Sequence, residues 1–241
     1  MNFDFDFHGL YGKFLSHITI SKKKSSMVDG IFCIYTDVRE NYIKNIFDKF
    51  GLGDEVIYVK AITNSHLNSN IYKNYTQKGA ILPFTKLPVH LSYLLCMYHA
   101  YLYDMKHILI FEDDVYFTIS KEELQDYINT FIYNIQGDVL YLGLCWAKKS
   151  QFKKTEYKNF LQSNSKNSIL CKHGMLHNTG YFHHFFKNHA KLGKNSDVFF
   201  NKYFVENKIK RYSLDNLVVF QNREELGSLN GNNKKTQISW K

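Results

Sequence analysis

The sequence predicts an α/β fold with a mostly parallel central sheet, and three observations carry that expectation. Apolar runs of strand length alternate with stretches in which apolar residues recur at helical spacing. The run Ile108-Leu109-Ile110-Phe111 is apolar without interruption, which suits a strand covered on both faces. It ends in three consecutive carboxylates, Glu112, Asp113 and Asp114, at the strand edge where open α/β sheets place their ligands.

The chain in order supplies the elements. Residues 1–28 alternate Phe with Asp and then run through Lys and Ser, and no element is assigned to them. Ile31 to Tyr35 reads as a buried strand, and Thr36-Asp37 turns into a helix. Asp37 with Glu40 three residues on has the form of a capping box, Ile43, Ile46, Phe47 and Phe50 make one apolar face, and Gly51 stops the helix. Glu55 to Val59 is a second strand, parallel to the first by the usual crossover. The polar stretch from Asn64 to Lys78 has no clear period and is expected as a functional loop or an unread element.

Pro88 opens a helix whose stripe, Leu91, Leu94, Leu95, Tyr98, Leu102 and Met105, packs on the sheet, with Ser92 and His99 off the stripe, where core-edge hydrogen bonding is the commoner role for each and a substrate contact the other. After the acidic triplet, Ser120 and Glu123 form a capping box for a helix that buries Leu124, Tyr127, Ile128, Phe131 and Ile135 and ends at Gly137. Asp138 to Gly143 is the next strand. Lys148 to Lys166, rich in Lys, Ser, Asn and Gln, reads as a surface loop where a lid or an acceptor-recognition insert could lie. Ile169-Leu170-Cys171 resumes an extended run, Asn195-Ser196-Asp197 caps a helix from Val198 to about Glu206, and Leu217 to Gln221 is a late strand.

Composition bounds the rest. The 241 residues hold no Pro/Gly-rich linker, so one domain over residues 29–222 is expected, between the N-terminal segment 1–28 and a polar tail 223–241. Hydrophobic residues at 44% and aromatics at 17% give ample core and exclude disorder throughout. Cys33, Cys96, Cys145 and Cys171 lack metal-ligand spacing and read as reduced core thiols. No segment approaches a membrane span and Met1 to Met27 lacks the apolar centre of a signal peptide, so an intracellular chain with no membrane span is expected. The formal charge of +9 fits an anionic partner, but Lys22 to Lys24 and Lys234 to Lys235 are short runs in polar stretches, and no specific nucleic acid is expected.

Three adjacent carboxylates repel one another and resist desolvation, so the triplet calls for a cation or a solvent-filled cleft. Hard oxygen ligands suit Mn²⁺ or Mg²⁺, ions often shared with substrate phosphates. A solvated turn that caps the next helix is the plainer alternative. The five histidines from His173 to His189 suggest zinc, but His173 and His177 lack the third ligand and general-base Glu of a recognisable motif. Tyr35, Thr36 and Arg39 follow the first strand at its C-terminal edge, where a nucleotide can approach; an exposed helix position is the alternative for Arg39.

The order of these pieces resembles the lipooligosaccharide and collagen galactosyltransferase-like family, over roughly residues 30 to 222. The matching pieces are Ile31 to Arg39, the Ser92-containing helix, Leu109 to Val115 with its Glu-Asp-Asp, Asp138 to Gly143, Cys171-Lys172-His173, Asp197 and Gln221. The resemblance implies a single Rossmann-like, nucleotide-sugar-binding domain of the GT-A type. It implies a metal-dependent transferase that moves a hexose, galactose or glucose, from a nucleotide sugar, a UDP-hexose foremost, to a saccharide or hydroxylated acceptor. Glu112 and Asp114 would then hold Mn²⁺ or Mg²⁺, and Tyr35, Thr36, Arg39, Ser92, Asp113 and Gln221 would contact substrate. An incoming hydroxyl must also lose its proton, and Asp197 is the candidate base for an inverting reaction, with His173 next; a plain helix cap is the other role for Asp197. This chain has Ser92-Tyr93 and Gly174-Met175 where the family has Ser-His and Ala-Tyr, which leaves donor and acceptor open. Two other readings stand beside it: an Mg²⁺-dependent phosphate-ester hydrolase or phosphotransferase, which would want Asp where Glu112 stands, and a noncatalytic glycan or nucleotide binder.

Overall fold

Successive residues of the central strands bury their side chains on opposite sides of one sheet, and that alternation sets the layers. The computed structural model describes residues 7–76, 86–144, 147–163, 169, 173–188 and 192–227. The first half holds α1 (Phe7–Phe14), β1 (Gly30–Tyr35), α2 (Glu40–Lys49), β2 (Val56–Lys60), α3 (Ser69–Tyr75), α4 (Lys86–Leu102), β3 (His107–Glu112) and β4 (Val115–Phe117). The second half holds α5 (Lys121–Asn129), β5 (Val139–Tyr141), β6 (Phe152–Lys154), β7 (Phe160–Ser163), β8 (Gly174–Asn178), α6 (Phe182–Asn188), α7 (Ser196–Glu206), β9 (Arg211–Leu214), β10 (Val219–Gln221) and α8 (Arg223–Leu226). Phe32, Ile108 and Ile110 face a core built with α1, α4, α6 and α7. Ile31, Cys33, Tyr35, Leu109 and Phe111 face the opposite core with α2 and α5.

The large sheet runs β2-β1-β3-β8-β5-β9-β7-β6. β1 is parallel to β2 and β3, and β5 is parallel to β9. β8 enters antiparallel between β3 and β5, and β7 is antiparallel to both β9 and β6. The sheet is therefore mixed, which corrects the expectation of a mostly parallel one. Gly174 and His177 interrupt the apolar signal of β8, and His177 is tolerated at the centre because its ring nitrogens meet Tyr93 Oη at 3.0 Å and Tyr181 Oη at 2.6 Å.

Several local expectations are also revised. Asp37 starts a short 3₁₀ turn, Asp37–Arg39, instead of a capping box, and its carboxylate pairs with Lys60 Nζ at 2.9 Å. Part of the polar stretch after Asn64 is helix: Asn68 caps α3 by accepting the Ile71 N–H at 2.9 Å, and Ile71 and Tyr75, four apart, anchor it. The stretch after Lys148 holds a hairpin, β6 and β7, whose Phe152, Phe160 and Leu161 are buried at the sheet's edge. The predicted extended run at Leu170-Cys171 lies outside the described residues. Gly51 ends α2 at φ +79°, as its position predicts. No helix of the described residues is long and apolar enough to cross a membrane.

A second, two-stranded sheet pairs β10 antiparallel with β4, in a register that sets Gln221 opposite Val115. The Asn222 N–H then donates to the Asp114 carbonyl at 2.6 Å. This small sheet folds the chain's last described residues back over the acidic triplet.

Candidate functional site

The C-terminal ends of β1, β2 and β3, the face of α4, the start of α7 and the segment after β10 enclose a cleft of about 320 Å³. Thr36, Arg39, Ser92, Glu112, Asp113, Asp114, Asp197 and Gln221 all line it. The sequence-predicted residues thus converge, apart from Tyr35 and His173. Tyr35 is one residue out of phase with Ile34 and Thr36, so its ring turns to the other core, edge-on to Tyr58 and under the Lys44 ammonium. His173 is 2% exposed and sits behind the cleft wall, its Nε2 3.4 Å from the Val219 carbonyl while its own carbonyl accepts the Glu112 N–H. Burial pushes its imidazole down to about 4, so it is neutral at neutral pH. Gly143 allows this packing, since a Cβ there would lie 2.2 Å from His173 Nε2.

The three carboxylates have different surroundings. Asp113 binds back to β1: its Oδ2 accepts the Thr36 N–H at 2.7 Å and the Thr36 hydroxyl at 2.6 Å, and its Oδ1 accepts Arg39 Nη1 at 3.0 Å. Arg39 also lies 3.3 Å from Asp114 Oδ2 and donates through Nη2 to the Gly227 carbonyl at 2.9 Å. At 5% exposure Arg39 is not an exposed helix residue; it lines the cleft as the buried counter-ion of the triplet. Glu112 and Asp114 are bridged by one amide, with Gln221 Nε2 donating to Glu112 Oε2 at 3.3 Å and to Asp114 Oδ1 at 3.2 Å. Burial raises the Asp114 carboxyl above its usual range, against the lowering pull of Arg39.

Ser92 lines the cleft and also makes core-edge hydrogen bonds: its hydroxyl donates to the Pro88 carbonyl at 2.9 Å and accepts the Ile62 N–H at 2.8 Å. It ties α4 to the chain leaving β2. Asp197 occupies the first turn of α7 with Asn195 as the N-cap residue, so it is not the cap itself. It lines the cleft beside Asn195 and Ser196.

Sequence reasoning missed Lys86, Tyr93, Ser196 and Arg223, all of which line the cleft. Arg223 was reachable in principle, because it follows the late strand that was recognised. Lys86 was not, because it precedes the apolar stripe of α4 by a full turn. Among the described residues no three His, Cys, Asp or Glu side chains converge as a ready-made metal cage. The donor set on offer is Glu112 and Asp114.

No protein-family model matches the chain, and no curated protein matches it. Among solved structures, the crystal structure of A197 from STIV matches at 11% identity over 77% of this chain and 81% of that chain, with a TM-score of 0.39. A likeness that slight carries no argument here.

Proposed function

We propose that the cleft is the donor and metal site of a glycosyltransferase that moves a hexose, galactose or glucose, from a nucleotide sugar to a saccharide or hydroxylated acceptor. The observation that carries the reading is the pair Glu112 and Asp114, held close enough to share one amide of Gln221 in a cleft at the ends of parallel strands. Mg²⁺ and Mn²⁺ are commonly held by one or two carboxylates, with water and substrate phosphate completing the shell, and this donor set fits that pattern. A divalent ion bound there would supply positive charge against a departing nucleoside diphosphate. The resemblance in order and spacing to the lipooligosaccharide and collagen galactosyltransferase-like family supports the same reading, including a single Rossmann-like domain of the GT-A type.

The chain's own residues would divide the work. Arg39 neutralises Asp113 and part of Asp114, which leaves Glu112 and the remaining Asp114 charge to face the cleft. Thr36 locks the β1 end to Asp113 and so fixes the register between the two strand ends that receive the donor. Asp197 would take the proton from the acceptor hydroxyl as its oxygen bonds to the anomeric carbon, while the bond from that carbon to the diphosphate oxygen breaks with its electron pair leaving on the diphosphate. Attack on the face opposite the leaving group would invert the anomeric centre.

The test is equilibrium binding of UDP by calorimetry, with Mn²⁺ and with a chelator. Binding that needs Mn²⁺ and is lost in Asp114→Asn supports the reading. Equal UDP affinity with and without the ion, or no UDP binding at all, contradicts it.

A further inference from the structure

Beyond the end of β2 the wall of the cleft is Ala61, Ile62 and Thr63. The Ile62 N–H is held by Ser92, and the chain past it is closed by the short 3₁₀ turn Asn64–His66. Thr63 and His66 cap one another there: the Thr63 side chain takes the His66 N–H, and the Thr63 N–H donates to His66 Nδ1 at 2.9 Å. A backbone N–H can only donate, so His66 Nδ1 is an acceptor and the ring is the neutral tautomer with its proton on Nε2. The Thr63 hydroxyl stands 3.1 Å from the same Nδ1 and 2.7 Å from Ser65 Oγ, which gathers the turn around that one nitrogen.

The groups around His66 are mainly cationic. His17, in the 3₁₀ turn Leu15–His17 after α1, meets it edge to face with ring centroids 5.0 Å apart, and Phe14 of α1 lies 6.0 Å away. Lys13 of α1 and Lys60 of β2 add positive charge, and Asp37, paired with Lys60 at 2.9 Å, is the opposing acid. The two half-buried imidazoles are set up oppositely. His17 Nδ1 donates to the Lys60 carbonyl at 2.9 Å, a bond that a second proton leaves intact. His66 cannot take a proton on Nδ1 without setting one donor against another, the Thr63 N–H. Burial, then the charges of His17, Lys60 and Lys13, hold the His66 imidazole below its ordinary 6.5. The cap is therefore fully present above pH 6.5 and is lost as pH falls through the lowered value.

We propose that His66 is a proton-operated latch on this wall: neutral, it closes the Thr63 turn, and protonated on Nδ1, it releases that turn and weakens ligand binding in the cleft. The effect on ligand rests on the reading of the cleft as a nucleotide site; the latch itself does not. The full chain, as wild type and His66→Asn, is followed between about pH 7.5 and pH 5. Asn keeps an acceptor at the δ position and does not titrate, so it holds the turn at every pH. Nuclear magnetic resonance reads the Thr63 amide and the His66 ring, and calorimetry reads UDP affinity with Mn²⁺, where the ligand's own titration cancels between the two proteins. In wild type the Thr63 amide should shift in step with the His66 ring, and at the acid end UDP should bind about fivefold more weakly than to His66→Asn, the worth of one hydrogen bond. At the neutral end the two proteins should bind alike. A Thr63 amide that stays put while His66 titrates, a His66 still neutral at the acid end, or equal acid loss of UDP affinity in both proteins overturns the latch. Absence of UDP binding in both, with the Thr63 shift intact, instead counts against the transferase reading and leaves the latch standing.

Discussion

Arg39→Ala removes a guanidinium that is 5% exposed and touches Asp113 Oδ1 at 3.0 Å, Asp114 Oδ2 at 3.3 Å and the Gly227 carbonyl at 2.9 Å. Breaking a buried pair costs about 3–5 kcal/mol, chiefly because the partner charge is left uncompensated. Here the carboxylates keep other donors: Thr36 still serves Asp113 Oδ2 and Gln221 still serves Asp114. The lower end, about 3 kcal/mol, is therefore expected. At roughly 2–4 °C per kcal/mol for a domain of this size, Tm falls by about 6–12 °C. Adding Asp113→Asn should restore much of the loss, and Arg39→Lys should recover only part, because one ammonium cannot span three acceptors. The sign with pH follows from Asp114, whose carboxyl burial already raises. Without Arg39 it rises further, so the deficit shrinks as pH falls and the carboxyl takes up a proton. Urea denaturation at pH 7 and pH 5 measures both effects. A loss under about 1 kcal/mol, the worth of an exposed pair, would refute the counter-ion role.

Two further outcomes separate roles at the site and behind it. Asp197→Asn changes one charge in the first turn of α7 without touching the cap residue Asn195, so stability should move by about 0.3–1 kcal/mol at most, while transfer to the acceptor falls about 10²–10⁴-fold; single-turnover kinetics beside a melting curve reads both, and near-normal transfer would place the base elsewhere. His173, held neutral with its imidazole at about 4 against an ordinary 6.5, contributes stability that is present above pH 6.5 and is lost as pH falls toward 4. The loss should be about 3 kcal/mol between pH 7 and pH 4 and should be absent from His173→Gln, as compared by urea midpoints.

What could be read in advance follows from how local each signal is. β1 and β3 were legible because Ile31 to Tyr35 and Ile108 to Phe111 are apolar without a break, and all four residues of the latter run are fully buried. β9 was not, because it buries Arg211 and Ser213, and Arg211 is acceptable only through partners such as Asn201 Oδ1 at 2.8 Å, on another element. The hairpin β6 and β7 hid in a polar stretch because an edge strand buries few of its side chains. At the site, the acidic triplet was legible as three adjacent letters, and its place at a strand end followed from the run before it. The role of Arg39 was not, since its carboxylates are remote in sequence and only the β1/β3 pairing brings them together. Tyr35 was misplaced because strand alternation turns neighbouring residues to opposite faces. The core-edge hydrogen bonding of Ser92 was legible from its place beside the apolar stripe, but its partner, the Ile62 N–H, was not, because it belongs to a loop whose path the sequence does not reveal.

The central claim, that Glu112 and Asp114 serve a metal-dependent sugar transfer, is met most directly by turnover. The purified chain is incubated with Mn²⁺ and a panel of nucleotide sugars, and released nucleoside diphosphate is measured for wild type and for Asp114→Asn, with melting curves confirming that both are folded. The account predicts release from one donor, a UDP-hexose, abolished by chelator and nearly abolished in Asp114→Asn. No release from any nucleotide sugar, with phosphate liberated from simple phosphate esters instead, would contradict it.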